Sequence, residues 1–154
     1  VSVKQVTKSN SILNLADDAG NTAVQFRGDA AAVSTYLGSA AGQYSSGAFN
    51  TGVGMSALGS NTTGSVNTAV GSAALLANTT GSGNSAFGGG FGNFTLGLNT
   101  TGNSNSAFGA GALKDNTIGS SNTAVGYNAG SGSAVASNNP FLGTNSSVFG
   151  LLQP

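Results

Sequence analysis

The side chains on which catalysis ordinarily rests are almost absent from this chain. Its 154 residues include no histidine and no cysteine. There is no glutamate either, and the carboxylates are Asp17, Asp18, Asp29 and Asp115. Glycoside cleavage needs two acidic groups flanking one bond, yet three of the four lie near the N-terminus while Asp115 stands apart beside Lys114. A hydroxyl nucleophile needs a base to take its proton, and no histidine is present to act as one. The sequence predicts no enzyme and no cofactor. Asp17-Asp18 could hold calcium with backbone oxygens, but an acidic pair in a polar turn is ordinarily solvated, and no metal site is assigned. The run Gly88-Gly89-Gly90-Phe91-Gly92 has neither the aspartate of a calcium-binding glycine repeat nor the lysine of a phosphate loop.

Side chains suited to binding are easier to find. Phe91, Asn93 and Phe94 sit in the Gly-rich stretch 89–95, and exposed aromatic rings can stack on the apolar faces of sugars. Tyr127 is a further candidate, and Tyr44 and Asn128 are of the same kind. The competing reading is that both phenylalanine rings tuck back to seal the chain's own core or a neighbouring chain. Composition removes other ligand classes. Only 5% of residues are charged and the formal net charge is zero, whereas nucleic-acid binding draws its affinity from basic side chains on phosphates. No apolar run approaches the roughly 20 residues of a membrane span, so neither nucleic acid nor membrane insertion is expected, and no signal-peptide pattern is visible.

What positions these residues is a repeat of about seventeen residues. Its leading glycines are Gly38, Gly54, Gly71, Gly88, Gly109, Gly126 and Gly143. A large apolar residue precedes each: Leu37, Val53, Val70, Phe87, Phe108, Val125 and Leu142. Four positions before each glycine stand Ser34, Asn50, Asn67, Asn84, Asn105, Asn122 and Asn139. A second ladder places Leu58, Leu75, Leu96 and Leu113 three residues before Asn61, Asn78, Asn99 and Asn116. One interval is 21 residues, so four extra residues lie between Gly88 and Leu96, within the insertion 89–95. A period in this range marks one small unit stacked on copies of itself.

Segments such as Thr68-Ala69-Val70 and Ser106-Ala107-Phe108 are bounded by Asn and Gly and are too short for helices. Each turn therefore reads as two or so short strands joined by tight bends, with glycine at a recurrent corner. Successive turns pair about 4.8 Å apart, and stacked asparagines can hydrogen-bond as a ladder. The expected fold is all-β, a parallel β-solenoid of about seven turns over residues 34–150. It is preceded by a capping or connecting module over 1–33, with strands near Val1-Ser2-Val3 and Ala23-Val24-Gln25-Phe26 around a polar turn at Asp17–Asn21, and followed by a tail over 151–154. Ser147–Leu152 resembles a degenerate last rung or the start of another element.

Neighbouring side chains on a strand point to opposite faces. Pairs such as Ala69-Val70, Ala86-Phe87, Ala107-Phe108 and Ala124-Val125 thus put apolar groups on both. One face can line the coil; the other needs a second cover. Association of several coils would supply it. The position before the large apolar residue is small in the middle turns but is Tyr36 in the first and Phe141 in the last, which reads as a crowded column with ring-plugged ends.

The motifs Asn67-Thr68-Ala69-Val70-Gly71, Asn122-Thr123-Ala124-Val125-Gly126-Tyr127-Asn128-Ala129-Gly130 and Asn61-Thr62-Thr63-Gly64-Ser65 resemble the head repeats of trimeric autotransporter adhesins. They resemble still more closely the repeats of phage-type tail-fibre-domain proteins. The resemblance covers about 110 residues and implies a left-handed β-roll, three chains side by side, on an extracellular cell-surface or virion fibre. The expected partners are two further copies in a homotrimer and a cell-surface glycan or other surface receptor on a host, prey or partner cell. A structural fibre spacer is the alternative. An ice-binding solenoid is a third reading, from the paired threonines. Those threonines also create glycosylation-type triplets at Asn61, Asn78 and Asn99, as do Asn93-Phe94-Thr95 and Asn145-Ser146-Ser147; four of these five follow from the repeat or from low-complexity composition.

Overall fold

The computed structural model describes residues 11–16, 22–29, 33–90 and 92–147. Four expectations lie outside the described residues: the strand at Val1-Ser2-Val3, the Asp17–Asn21 turn, Phe91, and the final segment 148–154. The described chain forms β1 (Ser11–Ala16), β2 (Thr22–Asp29), β3 (Ser34–Leu37), β4 (Thr51–Val53), β5 (Thr68–Val70), β6 (Ser85–Phe87), β7 (Ser106–Phe108), β8 (Thr123–Val125) and β9 (Pro140–Leu142). They make one nine-stranded sheet in sequence order. β1 and β2 form an antiparallel hairpin, and β2 pairs antiparallel with β3. From β3 onward every pairing is parallel.

The seven parallel strands are successive rungs of a parallel β-solenoid of about six turns. Counting corner glycines gives seven because it counts strands; the coils are the intervals between them. Each rung also holds one strand of three or four residues rather than two. The rest of the turn is bends whose backbone groups bond to the neighbouring rung, as in Leu58 N–H to Ala74 C=O (3.0 Å) and Thr62 N–H to Thr79 C=O (2.9 Å). Bends replace the second strand because the corner after each strand carries residues with left-handed angles: Leu58, Leu75, Leu96 and Leu113 have φ of 55°, 52°, 51° and 51°. Such an angle costs a side-chain-bearing residue about 1–2 kcal/mol. All four leucines are fully buried, and burying a leucine returns about 1.5–3 kcal/mol, so burial wins.

Strand register carries the core. Tyr36, Gly52, Ala69, Ala86, Ala107, Ala124 and Phe141 lie side by side across the seven rungs and face inward. The four leucines fill the space opposite. At both ends the partition of volume reverses: Tyr36 and Phe141 are buried, and the leucine position becomes Gly42 and Gly130. A methyl group at Gly130 would lie 2.7 Å from Cδ2 of Phe141 and 2.8 Å from Cδ2 of Leu113. The rings thus occupy the volume that a leucine takes elsewhere.

Two buried asparagine ladders tie the rungs together. In the first, the backbone N–H of each asparagine donates to Oδ1 of the one before: Asn67 to Asn50, Asn84 to Asn67 and Asn105 to Asn84, each 2.9 Å. In the second the amides bond directly, Asn78 Nδ2 donating to Asn61 Oδ1 (2.7 Å), Asn99 to Asn78 (2.8 Å) and Asn116 to Asn99 (2.9 Å). Each of these also donates to the carbonyl three residues on, at Gly81, Gly102 and Gly119. Polar groups inside a narrow apolar coil require such partners.

Candidate functional site

Two surface features stand out against this regular frame. The first is the outward side of the sheet. Inward-facing alanines alternate with the large apolar residue that follows them, so Phe87, Phe108, Val125 and Leu142 form an exposed column, with Leu142 at 69%. Phe87 and Phe108 stack face to face, ring centroids 5.1 Å apart and planes at 6°. Val53 and Val70 continue the column with partial exposure. Between Val33 and Ser147 the only charged residues are Lys114 and Asp115, so no charge lies on this column. Scattered exposed apolar residues are normal, but a contiguous uncharged apolar stripe marks an interaction surface.

The second feature is the insertion. Gly111 N–H donates to Asn93 C=O (3.1 Å) and Leu75 N–H to Thr95 C=O (3.1 Å). These bonds repeat those between regular rungs, such as Ala73 to Met55 and Leu58 to Ala74. Asn93, Phe94 and Thr95 are therefore already back in register, and the four extra residues are 89–92 rather than lying anywhere in 89–95. Thr95 takes the buried alanine position of its turn, its hydroxyl donating to Gly109 C=O (2.8 Å).

Of the expected binding residues, the structure joins Asn93 and Tyr127: Asn93 Nδ2 donates to the Tyr127 hydroxyl (3.1 Å) across two rungs. Phe94 is half-buried and lines an open pocket of about 190 Å³ with Gly92, Gly97, Leu98, Lys114 and Asp115. Phe91 lies outside the described residues. Tyr44 is exposed on another part of the coil, with Gln43 Nε2 donating to its hydroxyl (3.3 Å). Asn128 sits at a left-handed corner (φ 51°).

Lys114, Asp115 and Leu98 were not among the expected residues. The repeat itself could have found them, since Leu98 and Asp115 are one seventeen-residue period apart, as are Gly97 and Lys114, so stacking brings them together. Asp115 Oδ2 accepts from Gly132 N–H (2.9 Å), one further period along. The lining thus combines one positive and one negative side chain, an aromatic ring and an aliphatic wall, and it holds no nucleophile–base pair.

The threonine ladder is engaged elsewhere. Thr62, Thr79, Thr100 and Thr117 donate their hydroxyls to backbone carbonyls of the next rung at 2.9–3.0 Å. The exposed companion column runs Thr63, Thr80, Thr101 and then Ile118 and Val135. Asn61, Asn78 and Asn99, which head the glycosylation-type triplets, are fully buried. Among the described residues no helix is long and apolar enough to cross a membrane. No family model matches the sequence, and no curated protein or solved structure matches it either.

Proposed function

We propose that this chain is a segment of an extracellular, homotrimeric fibre or adhesin, in which left-handed coils pack side by side and attach to glycans or another receptor on a host, prey or partner cell. The observation that carries the reading is the uncharged apolar column Phe87, Phe108, Val125 and Leu142 on the outer face of the sheet. A lone narrow coil has no second layer to cover it. A second copy is the occupant that fits, because the column repeats at the rung spacing and presents no charge that would call for a partner of opposite sign. The likeness of the repeats to those of trimeric adhesin heads and tail fibres supports the same assembly. Three weak sites held on one fibre gain from effective concentration, so modest affinity per site suffices for attachment.

The test is glycan-array binding by the intact protein, together with its mass in solution. Binding to a set of glycans and a mass near three times 14.7 kDa are expected. An array without binding at any sensible concentration reduces the segment to a structural spacer, and a stable monomer removes the assembly.

A further inference from the structure

We infer that the pocket between Phe94, Leu98, Lys114 and Asp115 takes a single neutral hexose residue, and that this is the glycan contact of the attachment role proposed above, on which the inference rests. The two charged residues of the solenoid are neighbours and line one pocket. In a chain otherwise bare of charge over more than a hundred residues, that placement needs an account. An ion pair holding the fold would be the simplest, but neither side chain makes one among the described residues. Asp115 instead places Oδ2 on Gly132 N–H, which fixes the carboxylate and leaves its other oxygen to accept a further hydrogen bond.

The chemistry of the lining then selects a ligand class. Lys114 supplies only donors and Asp115 only acceptors. An anionic sugar attracted by the ammonium meets the carboxylate, and a cationic sugar has the converse conflict, so neither gains net Coulomb energy. A ring bearing adjacent hydroxyls satisfies both groups at once, one hydroxyl accepting from Lys114 and the next donating to Asp115. Its C–H face has Phe94 and the exposed Leu98 to lie against. The volume, about 190 Å³, is below the roughly 300–1,000 Å³ of sites for larger ligands, which suits one ring with the rest of the glycan in solvent. The bond from Asn93 to Tyr127 holds the residue preceding Phe94 and so steadies the ring.

The experiment is an NMR titration of the labelled protein with methyl α-glucoside, α-mannoside and α-galactoside, with methyl β-glucuronide and glucosamine as charged counterparts. At least one neutral glycoside is expected to bind in the millimolar range, shifting the amides of Phe94, Leu98, Lys114 and Asp115, and the charged sugars several-fold more weakly. Phe94→Ala should weaken binding about tenfold. Asp115→Asn keeps an acceptor for Gly132 but leaves the ammonium uncompensated, so it should turn preference toward the glucuronide, a change that mere loss of structure would not produce. Tighter binding of a charged sugar by the unaltered protein, or no change of preference in Asp115→Asn, overturns the inference. Array binding undiminished by Phe94→Ala places the glycan elsewhere and leaves the attachment reading intact; an empty array removes both.

Discussion

Tyr127 and Asn93 are 34 residues apart and hydrogen-bonded side chain to side chain at 3.1 Å. Two periods of the repeat separate them, so they occupy the same outward column with Ala110 between, and the small alanine lets the tyrosine reach past it. The bond lands on the first residue after the insertion, where the chain returns to register. Tyr127→Phe removes it. The bond is exposed, so its net worth is about 0.5–1 kcal/mol, and the loss is expected in local opening rather than global stability. Amide exchange over 89–94 should quicken while Tm moves by no more than a few degrees; unchanged exchange would show that the bond does not hold the loop.

The ring plug at the C-terminal end predicts a compensating pair. Gly130→Leu introduces the side chain of the regular turns, at a backbone φ of 67° that the buried leucines nearly share, but it collides with Phe141. Overpacking of this kind costs about 1–3 kcal/mol. Phe141→Ala alone empties the end of the core at about 3–5 kcal/mol. The double variant recreates a regular rung, so it should recover part of the two losses, with a coupling of about 1–3 kcal/mol in a double-mutant cycle by chemical denaturation. Additive losses would mean that the ring and the leucine do not share one volume.

The direct amide ladder stops at Ser133, and the buried Asn116 Oδ1 and Ser133 Oγ are both left without a partner. Ser133→Asn alone will not extend it. Each ladder asparagine needs glycine three residues later: a methyl group at Gly64 or Gly81 would stand 2.5 Å from Oδ1 of Asn61 or Asn78, and position 136 is alanine. Ser133→Asn with Ala136→Gly supplies both the donor and the room. The double variant is expected to gain about 1 kcal/mol over the parent, and the single Ser133→Asn to gain nothing or lose, both read from denaturation midpoints.

Much of this was legible because a repeat states its own stacking. Thr68–Val70 and Ser106–Phe108 are strands as their alternation and flanking Asn and Gly require, and the buried rings of Tyr36 and Phe141 follow from their place in an otherwise small column. The single strand per rung was hidden, because it depends on leucines accepting left-handed angles, against their intrinsic preference. β1 over Ser11–Ala16 was missed for want of clean alternation; its pairing with β2 is what selects the strand. The pocket was missed because Asp115 is isolated along the chain and gains Leu98 only when one period is subtracted, which sets it against the turn that carries Phe94.

The boundaries of the insertion make it removable. Deleting 89–92 restores a seventeen-residue interval between Gly88 and Gly109, and Asn93 already bonds to Gly111 as a regular rung does. Because a glycine-rich loop loses much entropy on ordering, the deletion is expected to leave Tm unchanged or slightly higher. A collapse of Tm would show that the loop seals the core, the alternative role considered for Phe91 and Phe94.

The proposed assembly rests on the apolar column. Phe108 stacks on Phe87 at the middle of the stripe and is 41% exposed, so Phe108→Glu does not bury a charge within the isolated coil. In a three-chain bundle the same carboxylate sits in the interface, where desolvating an unpaired charge costs several kcal/mol. The variant should therefore keep its β-sheet circular dichroism while its light-scattering mass falls toward that of one chain, 14.7 kDa. Thr101→Glu, at an exposed position on a different column of the coil, controls for charge and should leave the mass alone. Equal masses for parent and Phe108→Glu, both above one chain, would place the interface on another face. A parent already monomeric would leave the column for some other partner.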